Sequence, residues 1–166
     1  DYIIGGLHYL GLFSIGSGDW NDGETARFAR YDAYYEEMAD MAASGLVDVV
    51  AHPDFIKLHS FDSFHRWLKK PESLRRVERA LMAMVDAGVA MELSSAGLRR
   101  AYREAHPAPA ILKLAAAAGV TVAFGSDSHA ADTIGSEFHV LEAVARAHGF
   151  HEHLIFDRRR PVAISF

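Results

Sequence analysis

The sequence has no cysteine, which excludes disulfides and thiolate chemistry and suits a reducing compartment. It has no apolar run near the ~18 residues that a membrane span needs. Its opening residues lack the basic region and small-residue cleavage site of a secretory signal. We therefore expect a cytoplasmic protein without a membrane partner. Positive charge is also short: 17 lysines and arginines face 22 aspartates and glutamates, a net charge of -5 that leaves no field to gather nucleic acid nonspecifically. A dinucleotide site is disfavoured too. Gly5 and Gly6 lie inside the first apolar run, and the later Gly16 and Gly18 are followed by Asn21 where G-x-G-x-x-G wants a third glycine.

What is present is the make-up of a globular domain. Half of the 166 residues are hydrophobic and 23% are charged, and a chain of this length can bury a core of its own. Apolar runs of strand length alternate with amphipathic runs of helix length. Tyr2 to His8 is predicted as a buried strand, then a polar loop to Gly23 and a helix over Glu24 to Ser44 with Gly45 as its stop. Leu46 to Ala51 is a second strand, ended by Pro53. Pro71 to Gly88 reads as a helix feeding a strand over Val89 to Leu93, and Pro109 to Gly119 repeats that pattern before a strand over Val120 to Gly125. Asp132 to Gly149 is predicted as the last helix, capped by Asp132 or Thr133, with short strands at Leu154 to Phe156 and Val162 to Ile164. No linker or repeat divides the chain, so residues 1–166 read as one domain. The alternation implies an α/β fold with a parallel sheet, doubly wound or barrel-like.

The polar residues suited to chemistry gather at one place in this pattern, the C-terminal ends of the predicted strands. His8 closes the first, His52 and Asp54 the second, Glu92 the third, and Asp127 with His129 follows the fourth. That edge is where sites assemble in barrels and open α/β sheets alike. Each residue alone reads as well as a packing histidine or a turn-forming aspartate. Jointly they suggest a metal centre, because so many titratable groups are costly to bury unpartnered. Imidazole and carboxylate without thiolate suit Zn²⁺, Mn²⁺ or Fe²⁺. His59, His65, His106, His139, His148, His151 and His153 lack the strand-end placement and are read as surface or packing residues.

The segments IGGLHYL, VDVVAHPDFIK, AMELSSAGLRRAYREAHPAPAIL and VTVAFGSDSHAADTIG, in that order, resemble the polymerase-and-histidinol-phosphatase (PHP) family, and within it the histidinol-phosphate phosphatase branch. The resemblance runs down to the closing FDRRRPVAISF. It implies a distorted TIM-like (β/α)7 barrel with up to three divalent ions (Zn, Mn or Fe) at the C-terminal rim of the strands. It implies His8, His52, Asp127 and His129 as metal ligands, with His52, Asp127 and His129 also catalytic, and Glu92 as an acidic neighbour. Ser94-Ser95 stands where relatives often have Asn-Thr. The family's opening H-x-H strand has no counterpart, and the chain starts Asp1-Tyr2 without methionine. We therefore expect the C-terminal two thirds of the domain, lacking its first strands.

The implied activity is metal-assisted hydrolysis of a small phosphomonoester, with L-histidinol phosphate as the branch's substrate in histidine biosynthesis. A phosphate dianion also wants fixed cations, and Arg99, Arg100, Lys57 and Arg160 are the candidates, each equally readable as a solvated surface charge. Two alternatives are a PHP-type nuclease, which the acidic balance disfavours, and an inactive truncated module that oligomerises through an open barrel edge.

Overall fold

The computed structural model describes residues 1–166. Its centre is a four-stranded, all-parallel sheet of β1 (Ile4–Gly5), β4 (Val49–Val50), β5 (Ala90–Ser94) and β6 (Val122–Gly125), side by side in that order. A small ribbon, β2 (Tyr9–Leu10) with β3 (Phe13–Ser14), follows β1. The crossovers are α1 (Glu24–Ala43), then α2 (Phe61–Leu68) with α3 (Pro71–Ala87), then α4 (Pro109–Ala118). Helix α5 (Phe138–Ala147) follows β6, and an antiparallel hairpin of β7 (Glu152–Asp157) and β8 (Arg160–Ser165) ends the chain.

The helices form where the pattern places them. In α1 the buried Tyr31, Tyr34, Tyr35, Met38 and Ala42 recur at helical spacing. Proline opens α3 and α4, and Gly88 and Gly119 end them in the left-handed conformation. Both faces of β5 are buried, as suits a central parallel strand. Met91 and Leu93 face the helices and join Tyr31, Phe64, Trp67, Met84 and Val122 in the main core. Ala90 faces the other way with Val49 and Ala123, a small-residue surface.

Three expectations change. β1 and β4 are two residues long, because Gly5 and Gly6 give the first little to pack and Pro53 lacks the N–H to extend the second. The last helix starts at Phe138, and neither Asp132 nor Thr133 caps it. Instead Ser128 Oγ bonds Ala130 O and Thr133 Oγ1, and Gly135 and Glu137 turn left-handed, so residues 128–137 form a loop with one short 3-10 turn over Ala131–Thr133. The terminal strands pair with each other and not with the parallel sheet. Their hairpin lays Leu154 and Phe156 on the small-residue face, stacks Phe156 on Tyr2 with ring centroids 4.8 Å apart, and anchors Arg159 to Asp48 at 2.9 Å. The observed sheet is thus an arc of a barrel, with the hairpin over its inner face.

Candidate active site

The parallel register brings the ends of β1, β4, β5 and β6 to one edge, and with them His8, His52, Glu92 and Asp127. His52 (φ 28) and Asp127 (φ 44) both hold positive φ, a strained conformation for residues with a side chain and one that clusters at functional sites. The His8 and His52 rings meet edge-on with centroids 5.1 Å apart, and Phe55 packs against both at 5.0 and 4.8 Å. Their Nε2 atoms converge on the backbone of Gly6: a methyl group there would lie 3.2 Å from that of His8 and 3.4 Å from that of His52. Glycine leaves this space open.

His52 is buried, and its backbone N–H donates to Glu92 Oε2 at 2.5 Å. Burial lowers its pKa to about 4, helped by His106 and His8 against the attraction of Asp127. The ring is therefore neutral near pH 7, the form that ligates a metal. Its Nδ1 is buried without a hydrogen-bond partner. Glu92 is buried as well, and burial raises its pKa to about 7. It fits only because residue 125 is glycine; a Cβ there would stand 1.7 Å from Glu92 Oε1. Beyond these groups opens a cleft of about 380 Å³ between Tyr2, Ile4 and Val49 on one side and Phe124, Ile134 and Phe138 on the other.

His129 stands apart from the His8–His52 pair. Its side chain is 86% exposed, and its Nδ1 bonds Asp127 O at 3.0 Å. A second groove of about 400 Å³ is lined by Arg99, Arg100, Asp127, His129 and Thr133. Arg99 crosses to the Asp127 loop and donates to Ser126 O at 2.5 Å, Asp127 O at 3.2 Å and Ser136 Oγ at 3.1 Å. Arg100 is exposed and its guanidinium bonds nothing within the chain, leaving it the freer cation for an anion in that groove.

Two predicted substrate cations are displaced. Lys57 is fully buried, its Nζ bonded to Asp54 Oδ2 (2.7 Å), Glu104 Oε1 (2.8 Å) and Ala105 O (3.0 Å), so it cannot reach a substrate. Arg160 lies at the tip of the terminal hairpin, beside the Arg159 that binds Asp48. Asp48 precedes β4 whereas His52 follows it, so Arg160 is at the end of the sheet opposite the site. His106, read as a surface or packing residue, is buried and donates from Nδ1 to Asp54 Oδ1 at 2.5 Å. Its partner is 52 residues away in sequence, so no local pattern marks it. Burial opposes ionisation of Asp54, but Lys57 and His106 overcome this and hold its carboxyl well below the usual carboxylate range.

The chain is 30% identical over 140 residues to a protein named probable histidinol-phosphatase from Deinococcus radiodurans, an alignment covering 83% of this chain and 51% of the relative. Over that stretch it is similar to a probable histidinol-phosphatase. This is the PHP branch that its motifs resemble. The crystal structure of histidinol phosphate phosphatase from Lactococcus lactis, complexed with zinc, L-histidinol and phosphate, superposes with a TM-score of 0.74 at 16% identity, over 98% of this chain and 62% of that one. The fold is thus the TIM-like α/β fold of that phosphatase, of which the arc above forms part. No protein-family model matches the chain. The chain spans about half the length of its curated relative.

The donors agree in kind with a divalent ion. His8 and His52 offer imidazole nitrogens across an open space, one of them with an unpartnered buried nitrogen, and Asp127 adds a carboxylate on the same edge. No three acidic or imidazole groups stand close enough to hold one ion. Two imidazoles and a carboxylate on one edge would make only part of a coordination shell.

Proposed function

We propose that this chain carries the strand-end half of a metal-dependent phosphomonoester hydrolase that converts L-histidinol phosphate to L-histidinol. The observation that carries the reading is the convergence of two imidazoles, His8 and His52, on Gly6, on the same edge as Asp127 and one loop away from the arginine-lined groove. The named relatives, one of them bound to zinc, L-histidinol and phosphate, support the same chemistry. On this reading residues 1–166 belong to one PHP-type domain in the cytoplasm, serving histidine biosynthesis. No helix is long and apolar enough to cross a membrane.

His8, His52, Asp127 and His129 would hold up to three ions of Zn, Mn or Fe. When bound, such ions supply a hydroxide nucleophile near neutral pH and neutralise phosphoryl oxygens. The chain's own residues do the rest. Arg100 binds the phosphate dianion, and Arg99 fixes the carbonyls of Ser126 and Asp127 so that the Asp127 carboxylate and the His129 ring keep their places. Phe55 packs against both imidazole rings and limits their rotation.

The test is phosphate release from L-histidinol phosphate by the purified chain, loaded with Zn²⁺ or Mn²⁺ and checked for metal content. Turnover abolished by His52→Ala supports the reading; no turnover at measured occupancy of two or more ions per chain refutes it. A second reading, a metal-poor module that assembles through the β1 edge, is favoured by the absence of any three converging donors. It predicts oligomers without bound metal.

A further inference from the structure

Between the strand ends and the arginines lies a set of buried polar groups that the reaction does not use. The segment after β4 contributes Asp54 and Lys57, and the long segment after β5 contributes Glu104, Ala105, His106 and Ala108. Asp54 and Lys57 are both fully buried. Asp54 accepts from His106 Nδ1 at 2.5 Å and from Ala108 N–H at 2.7 Å. Lys57 donates to Glu104 Oε1 at 2.8 Å and to Ala105 O at 3.0 Å, and is tied to Asp54 at 2.7 Å. Four hydrogen bonds thus cross between the two segments, all but one of them fully buried.

The second segment is itself closed into a loop. Ser94 and His106 exchange both backbone hydrogen bonds, at 2.7 and 3.0 Å, which pinches the chain at the base of residues 95–105. That loop carries Arg99 and Arg100, whereas the segment holding the other half of the clasp begins at His52. Neither Asp54 nor His106 lines either groove. Charges and donors so deeply buried are costly unless every partner is in place, so this clasp admits one arrangement of the two segments and penalises others.

We propose that Asp54 and His106 are positioning residues: their buried clasp sets the arginine loop, and hence the phosphate-binding groove, against the His52 end of the site. This rests on the hydrolase reading above, but its test does not require turnover. His106→Leu removes the donor to Asp54 while keeping an apolar body; His106→Asn keeps an N–H near the position of Nδ1. Binding of inorganic phosphate to the Mn²⁺-loaded chain is measured by calorimetry, Mn²⁺ binding separately, and amide exchange along the chain by mass spectrometry.

The expected result for His106→Leu is phosphate affinity weakened about tenfold or more, as for other residues that orient a ligand-binding group, with Mn²⁺ affinity little changed. Exchange should accelerate about tenfold or more over residues 95–105 while α1 and α3 keep their protection. His106→Asn should restore both. Phosphate bound equally well by His106→Leu overturns the positioning role and leaves the hydrolase reading standing. Exchange that rises evenly over the chain, or a defect that His106→Asn shares, reduces the clasp to general stability and also overturns it. Failure of the unaltered Mn²⁺-loaded chain to bind phosphate refutes the hydrolase reading, and the positioning role with it.

Discussion

Replacing Lys57 with methionine separates a buried structural cation from a substrate contact. Methionine matches the length of the aliphatic stem and fills the space, so the change is chiefly the loss of one charge and three hydrogen bonds. Breaking a buried pair by removing one partner costs about 3–5 kcal/mol. Asp54 keeps His106 and the Ala108 N–H, and Glu104 is partly exposed and keeps His65, so about 3 kcal/mol is expected. For a chain of this size that lowers Tm by roughly 6–12 °C. The loss should also depend on pH. Asp54's carboxyl is held below its unfolded value of 3.8, so its contribution is full above that pH and fades as pH falls through the lowered folded value. The gap between wild type and variant, measured by urea unfolding, should therefore be widest near neutrality and narrow below about pH 4. A loss under about 1 kcal/mol, or a gap that does not change with pH, refutes this account of the network. A raised KM with unchanged stability would return Lys57 to the substrate.

Gly6→Ala places a methyl group 3.0 Å from His52 Cε1 and 3.2 Å from His8 Nε2, so metal affinity should fall about tenfold or more; unchanged affinity by calorimetry would dissociate the two imidazoles from metal binding. Arg100→Ala should raise KM for the phosphomonoester about tenfold at constant Tm, whereas Arg99→Ala, which frees the Ser126 and Asp127 carbonyls, should lower kcat as well; identical effects would argue against the division of roles. In metal-stripped protein, His52 has a folded pKa of about 4 against 6.5 in the unfolded chain. Its contribution is full above 6.5 and lost as pH falls through 4, roughly 3 kcal/mol in all. His52→Gln should flatten the acid limb of the stability profile by that amount, and an unaltered limb would show that the ring titrates normally.

Much of this was legible because it is local. Helix α3 is framed by Pro71 and Gly88, and α4 by Pro109 and Gly119, and both keep those bounds. The strand-end rule located His8, His52 and Asp127 because a parallel register needs only the order of the strands, whereas Glu92 lies in the middle of β5 and meets His52 through its side chain. What failed is what depends on distant partners. Lys57 looks like any loop lysine until Glu104 and Ala105 are brought to it from 47 and 48 residues away. The Leu154 and Val162 strands have the composition of sheet members, but pairing with each other satisfies their backbones first. The run from Asp132 to Glu137 has polar caps in plenty, and the contest among Ser128, Thr133 and the backbone was won by the loop.

The sheet order also bears on how the chain acquires its shape. Within the parallel sheet, β4, β5 and β6 each lie next to the parallel strand that precedes them in sequence, so every βα unit can dock on one already made and the arc can grow in the direction of synthesis. The hairpin is the exception, since its Arg159 anchor to Asp48 closes a loop of 111 residues. Long-range closures are entropically late, and we expect pulsed hydrogen exchange to find the β7–β8 amides protected after those of β5. Until that moment the inner face of Val49, Ala90 and Ala123 is bare, and it is then that the nascent chain is most open to association with others.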